Sequence, residues 1–299
     1  MSRLVIAFVA TMAFAGQAAS QSGNLSTLRA GIEMRVAGAP GAVVGVAYTD
    51  LASGDTLHIN SDSAFHAAST MKVPVMIELF RQAGTGGFSL AQGLMIVNRF
   101  ASIVDGSGYS LDVASDSDSS LYRLGGQRVR VDSLLKLMIT RSSNLATNAL
   151  ITLVGAERVT ASMRALGAGQ IMVRRGVEDQ KAFDAKLNNT TTARDLAIIM
   201  RAIEEGRAAD ASATRAMRDI LLAQEFNEKI PAGVPSGVRV AHKTGEITAH
   251  SHDAAIVYPP GRRPYVLVVL TRGLSDGNES SRLIGDISRL VYAHAVAAR

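Results

Sequence analysis

Apolar residues recur every three or four positions from Leu25 to Val36, where Leu25, Leu28, Ile32 and Val36 form one stripe. That spacing predicts an amphipathic helix, which Gly38 to Gly41 ends. Ala42 to Tyr48 is then a nearly unbroken β-rich run, and Gly54-Asp55 turns the chain into Thr56-Leu57-His58-Ile59. Two such runs around a glycine turn predict a hairpin. From Ser69 the period changes to that of a helix. Val73 to Gln82 predicts one, Val131 to Val154 at least one more, and Thr160–Leu166, Thr192–Glu205 and Ala213–Ala223 add others. Strand patterns return near the end, at Val238–Ala241, Ala254–Tyr258 and, past Pro259-Pro260-Gly261, Tyr265–Leu270. Ser281 to Ala297 predicts a last helix, with Leu283, Ile284, Ile287, Leu290 and Val291 on one side. A chain ordered helix, strands, many helices, strands, helix most simply builds a sheet from its two ends around an inserted helical lobe.

The first twenty residues do not belong to this pattern. Arg3 precedes an apolar stretch from Leu4 to Ala15, and Ala18-Ala19-Ser20 offers small residues for cleavage before Gln21. This predicts a signal peptide over 1–20, cleaved near Ser20. Its apolar stretch is too short to span a bilayer comfortably. Cysteine is absent, so disulfides, cysteine-ligated metals and a lipidated N-terminus are excluded. The mature chain is expected to be soluble and periplasmic or secreted from a bacterium, with no membrane anchor and as a monomer. Net charge is +5, with the basic residues scattered, and tryptophan is absent. Such a surface supplies few stacking platforms for nucleic acid, which points away from a nucleic-acid partner and toward a small-molecule substrate.

Ser69-Thr70-Met71-Lys72 carries the first candidate chemistry. Serine and lysine three apart on a helix share a face, so the amine can take the proton that makes the hydroxyl a nucleophile. Lys243-Thr244-Gly245, on a predicted strand, offers a second lysine that could hold an anionic substrate against that serine. Between them, Ser142-Ser143-Asn144 and Asn148 bring another hydroxyl and two amides to a turn and the helix after it. Ser-x-x-Lys alone is a weak signal; Lys-Thr-Gly is much rarer by accident.

Together, in this order, the three elements resemble those of the penicillin-recognising serine hydrolases, and within them the class A β-lactamases and their serine-hydrolase relatives. Phe65-x-x-x-Ser69-Thr70-Met71-Lys72-Val73-Pro74 is similar to their nucleophile helix, Asn144-x-x-x-Asn148 to their middle motif, and Thr190-Thr191-Thr192 to the segment closing their Ω-shaped loop. The resemblance implies an α+β fold: an antiparallel sheet with flanking helices from residues 21–65 and 214–299, an all-α domain over 66–213, and an active site at their interface. It implies a serine hydrolase that opens a β-lactam through an acyl-enzyme on Ser69, with neither metal nor organic cofactor. A D-alanyl-D-alanine carboxypeptidase or esterase on the same scaffold, or a β-lactam-binding protein that does not turn over, are the alternatives. Lys72 would take or relay the proton of Ser69, and Ser142 would pass one to the leaving nitrogen. Asn144 would hold the substrate's amide side chain, and Lys243 with Thr244 its carboxylate. Gly245 lets the strand approach closely. The N–H groups of Ser69 and Glu246 would form an oxyanion hole. Asn148 is read as structural, and Ser143 stands where the family pattern has aspartate.

The deacylating base is less plainly written. The family places a glutamate in an Arg-x-Glu-x-x-x-Asn context, and counting back from the threonines without gaps puts Gly176 there. A two-residue shift brings in Glu178, with Ala182 rather than asparagine four further on. Glu178 is taken as the base, with Asp179, a surface charge or a salt bridge to Arg174 or Arg175 as the other readings. Asp105 to Gly126 reads as a solvated loop, a calcium loop or a border of the active site where Tyr109 or Tyr122 meets substrate. His250-Ser251-His252-Asp253 reads as part of a turn, with a metal site as the alternative, and His242 has no evident partner.

Overall fold

The computed structural model describes residues 25–297, so the export segment expected over residues 1–20 lies outside the described residues. A first helix, α1, covers 25–37 and leads into the hairpin of β1 (Val43–Asp50) and β2 (Thr56–Ile59). A two-residue strand, β3 (Phe65–His66), is followed by a 3-10 turn over Ala68–Met71 and by α2 (Lys72–Gly84). Short strands β4 (Gly93–Met95), β5 (Phe100–Ala101), β6 (Gly108–Tyr109) and β7 (Arg128–Arg130) form two small antiparallel ladders, β4 with β7 and β5 with β6. Helices α3 (Val131–Thr140), α4 (Asn144–Val154), α5 (Ala156–Ala165) and α6 (Gln180–Asp184) come next. Then β8 (Thr190–Thr191) pairs back with β3, ahead of α7 (Ala193–Glu204) and α8 (Ala211–Leu222). The chain ends with β9 (Arg239–Ile247), β10 (His250–Tyr258), β11 (Tyr265–Arg272) and α9 (Gly277–Ala297).

The main sheet has the order β2-β1-β11-β10-β9, every pair antiparallel. The two ends of the chain meet at its centre, where β1 lies along β11 from Val43 opposite Arg272 to Asp50 opposite Tyr265. This is the α+β architecture expected from the element order. Both faces of the sheet are covered, which explains why β11 reads as a continuous apolar run rather than an alternating one. Tyr265, Leu267 and Val269 pack outward with Ile32 of α1 and Ile284, Ile287 and Val291 of α9. Val266, Val268 and Leu270 pack inward, in one core with Val75 and Leu79 of α2 and Leu196, Ile199 and Met200 of α7. No helix among the described residues is long and apolar enough to cross a membrane.

The structure departs from the predicted elements in two places and gives the detail of a third. The middle of the chain, expected to be helical, also holds the short ladders, because turn-rich polar sequence can close small hairpins that apolar periodicity does not register. The apolar stretch from Val131 to Val154 is two helices, broken at Arg141–Ser143, where the Ser143 hydroxyl accepts from Ala146 N–H and caps α4. The turn after β9 is confined to Thr248-Ala249, so His250 to Asp253 are already strand, with His252 opposite Gly245 and Asp253 opposite Thr244.

β9 is an edge strand, so alternate N–H groups along it face away from β10. Ala241 of this strand packs in the inner core, and by the two-residue alternation of a strand Lys243 and Gly245 share its face. Gly245 abuts the turn before α2: a Cβ there would stand 2.9 Å from the backbone nitrogens of both Ser69 and Thr70. Neither backbone atom can swing aside as a side chain could. Gly245→Ala is therefore expected to cost about 1–3 kcal/mol of stability, read as a lowered midpoint in chemical denaturation.

Candidate active site

The turn that presents Ser69 is tied down before it begins. Phe65 is opposite Thr191 in the β3–β8 ladder, and Ala67 N–H donates to Asn189 O at 2.8 Å. Ala68 takes φ +45°, a left-handed conformation seldom adopted by a residue with a Cβ. Thr70 folds back, its hydroxyl donating to Ala67 O at 2.5 Å. Ser69 is left half-buried at the cleft, while Met71, Val73 and Val75 beyond it anchor α2 in the core.

One turn along, Lys72 is fully buried. Its ammonium donates to Ser142 O at 2.6 Å, to Ser142 Oγ at 3.0 Å and to Asn144 Oδ1 at 3.0 Å. Those three bonds use the whole donor set of an ammonium. Burial nevertheless brings its pKa down to about 7, against the opposing pull of the Asp116 and Glu178 carboxylates. Ser142 stands at φ +57°, so the peptide whose carbonyl Lys72 holds is itself strained.

The loop expected to be solvated, calcium-binding or next to the site turns out to build one of its walls. Asp116 is buried, and its carboxylate accepts the N–H groups of Asn144, at 2.9 and 3.0 Å, and of Leu145, at 3.0 Å, at the start of α4. The Tyr122 hydroxyl donates to the same carboxylate at 2.9 Å. A carboxylate at a helix N-terminus meets both orphan N–H donors and the positive end of the helix dipole. Ser143, standing where the family pattern has aspartate, caps the helix with a hydroxyl; the carboxylate at that helix end comes from Asp116. Ser115 and Ser117 line the cleft, and Ser117 Oγ donates to Arg141 O at 2.8 Å.

Across the cleft lies the stretch from Arg174 to Thr190. Asn148 is buried and clamps the Val177 peptide, donating to Val177 O at 3.0 Å and accepting from Val177 N–H at 2.6 Å. A Cβ on Gly176 would fall 2.2 Å from Asn148 Oδ1, so a side chain at the position reached by gapless counting would displace the amide that clamps Val177. Glu178, at φ +61°, lines the cleft, and its carboxylate accepts from Asn144 Nδ2 at 2.8 Å and from Asp112 N–H at 3.1 Å. Asp179 also borders the cleft, but its carboxylate is taken up: it is buried, caps α6 through Ala182 N–H at 3.1 Å and accepts from Ser102 Oγ and Ile103 N–H. Arg175 is bound to Leu187 O, Gly176 O and Asn188 Oδ1.

Lys243 is fully buried, with Nζ donating to Thr244 O at 2.9 Å. Burial and then the neighbouring Lys72 ammonium hold it well below the ordinary lysine value, a penalty that an anionic ligand beside it would relieve. Thr244, Gly245 and Glu246 line the same cleft of about 720 Å³ as Ser69, Ser142, Asn144 and Glu178. The Glu246 side chain turns outward to Lys229, whose buried ammonium it meets at 2.5 Å. His242 has partners after all: Nδ1 lies 3.0 Å from Asp253 Oδ1 and Nε2 3.3 Å from Asn227 Oδ1. That pairing turns Asp253 to the sheet face opposite Gly245, away from the ring contact of His250 with His252.

The residues that motif reading did not single out are Asp116, Asp112, Lys229 and His66. Asp116, Asp112 and Lys229 act on partners far along the chain, and the contact of His66 with Ala68, two residues on, belongs to no motif.

The sequence model of a family described as the beta-lactamase enzyme family matches residues 27–295. Beta-lactamase AST-1 of Nocardia asteroides is 31% identical over 256 residues, covering 84% of this chain and 78% of the relative. Among solved structures, a mutant of PBP-A in an acyl-enzyme complex with penicillin G superposes with a TM-score of 0.78 at 28% identity, covering 90% of this chain and 96% of that one. An ancestral class A beta-lactamase superposes at 0.76 with 26% identity, covering 90% and 99%.

Asp116 both caps α4 and bears on Lys72. Asp116→Ala should lower stability by about 1–3 kcal/mol, because two buried N–H groups lose their acceptor. A melting curve reads this, and Asp116→Asn, which keeps an acceptor oxygen, should lose less.

Proposed function

Since this chain belongs to the beta-lactamase enzyme family and is a serine β-lactamase of the class A type, we propose that it opens the β-lactam amide with Ser69 and frees the acyl group with a water activated by Glu178. The observation that carries this reading is the set of three hydrogen bonds from Lys72 to Ser142 and Asn144, one turn from Ser69.

In acylation, Ser69 Oγ bonds to the lactam carbonyl carbon and gives its proton to neutral Lys72, which a pKa of about 7 makes available near neutrality. The tetrahedral oxyanion is met by the N–H groups of Ser69 and Glu246. As the C–N bond breaks, the Ser142 hydroxyl protonates the leaving nitrogen and is reprotonated by Lys72, whose Nζ is 3.0 Å away. Asn144 Nδ2 spends one proton on Glu178 and has a second for the substrate's amide carbonyl. Lys243 and Thr244 take the carboxylate. In deacylation, Glu178 accepts a proton from water as the water attacks the ester, and that proton returns to Ser69 Oγ as the C–O bond breaks, so Ser69 leaves as the alcohol and Glu178 as the carboxylate.

The sequence pattern supports export through a leader over residues 1–20, cleaved near Ser20, to a periplasm or the exterior, where a monomer would confer resistance to β-lactams. It also supports the division into 21–65 with 214–299 and 66–213, with the site between them.

Ser69→Ala should abolish turnover of a chromogenic cephalosporin and labelling by a fluorescent penicillin; persistent labelling would reject Ser69. Glu178→Gln should still be labelled but turn over on the order of 10²-fold more slowly or worse, with the acyl-enzyme seen as a mass increase on the intact protein. Unchanged turnover would exclude Glu178, and a burst without turnover in the wild type would mean a trap rather than an enzyme.

The neutral amine is the base, and its fraction grows with pH. The acylation rate is therefore expected to rise with pH and level off above about 7. Stopped-flow acylation across pH 5–9, a range of about two units on either side of that value, reads this; a flat profile would remove Lys72 as the proton acceptor.

A further inference from the structure

Two imidazoles outside this chemistry are built into the turn that presents Ser69. His66 closes β3 and lines the cleft, and its Nδ1 accepts from Ala68 N–H at 3.0 Å. A side-chain acceptor bonded to the N–H two residues on is the geometry of an Asx-turn, here made by an imidazole. Ala68 is the left-handed residue before the nucleophile. Its N–H fixes the plane of the preceding peptide, and the following peptide carries Ser69 N–H.

His66 is itself held from the sheet. His252 on β10 is fully buried, its Nε2 lies 2.9 Å from His66 O, and its Nδ1 lies 3.2 Å from Thr271 N on β11. The Thr271 amide can only donate, so Nδ1 of His252 is unprotonated and Nε2 carries the proton given to His66. A line of hydrogen bonds thus runs from β11 through His252 and His66 to Ala68.

We propose that His66, anchored by His252, is a positioning residue for the hydrolysis: its unprotonated Nδ1 fixes the Ala68 peptide so that Ser69 N–H points at the developing oxyanion. The proposal rests on the reading of Ser69 as nucleophile and goes beyond it. The arrangement needs neutral rings, and the surroundings keep them neutral. Burial lowers the His66 pKa to about 4, helped by the charges of Arg175, in the loop before α6, and of His250 on β10; burial brings His252 to about 3. Phe183 of α6 packs its ring against His66. Among the described residues, no carboxylate is a cause of the shift of either ring.

The test compares His66→Asn, which can rebuild the turn as a true Asx-turn, with His66→Phe and His66→Leu, which cannot. Acylation by a fluorescent penicillin should fall about tenfold or more in the Phe and Leu variants, since a misdirected oxyanion donor is lost to the transition state. The Asn variant should stay within about threefold of wild type. Wild-type acylation rates in folded Phe or Leu variants, or an Asn variant as slow as they are, would overturn the proposal. Nitrogen-15 NMR of the wild-type imidazoles at pH 7 does not depend on the variants folding. An unprotonated, hydrogen-bonded Nδ1 on His66 is expected, and a protonated one would overturn the assignment. Failure of the underlying reading looks different, because the label would then survive Ser69→Ala.

Discussion

The ammonium of Lys72 is where the site is joined. It is buried without a carboxylate in contact and spends all three donors on Ser142 O, Ser142 Oγ and Asn144 Oδ1. This ties the start of α2 to the break between α3 and α4. Desolvation pushes the proton off while the Asp116 and Glu178 carboxylates hold it on, and a pKa of about 7 is the outcome. Were the amine better solvated, it would be a permanent cation and a poor base; were it without acceptors, the turn at Ser142 would lose the bonds that offset its strain.

The same logic recurs around the cleft. Ala68, Ser142 and Glu178 are non-glycine residues at positive φ, and all line it. Such conformations persist where surrounding contacts over-determine them, and each of the three has a named restraint. The Ala68 N–H donates to His66, the Ser142 carbonyl accepts from Lys72, and the Glu178 carboxylate accepts from Asn144 Nδ2 and Asp112 N–H. Asn144 stands between two of them, accepting from Lys72 and donating to Glu178, while its own N–H is held by Asp116. The loop from Asp105 to Gly126 is thereby part of the site's scaffold, supplying the cap of α4 from 28 residues away.

Legibility in the sequence followed the range of the interaction. The amphipathic helices α1, α7, α8 and α9 were readable because one face repeats at a fixed period, and the strands β1 and β11 because a sheet covered on both faces gives short continuous apolar runs. The turn between α3 and α4 was readable at Ser142-Ser143-Asn144, but the lysine from another helix that holds it was not. Ser69 with Lys72, and Lys243 with Thr244 and Gly245, are neighbours in sequence and could be read as motifs. Glu178 could be narrowed only in space, where Asp179 is consumed by Ala182, Ser102 and Ile103, and Gly176 is pressed against Asn148. The partners of His242 were equally invisible, since Asp253 reaches it across the β9–β10 ladder.

The sequence by itself determined the α+β class, the family and the residue types of the chemistry, because these are carried by local periodicity and by short motifs whose members sit one helical turn or one strand apart. Tertiary structure alone decided which carboxylate meets Asn144 in the cleft, which one caps the helix beside it, and that the Lys72 pKa falls to about 7. Those outcomes depend on burial and on hydrogen bonds between segments far apart in the chain, and neither desolvation nor a through-space partner leaves a spacing to be read.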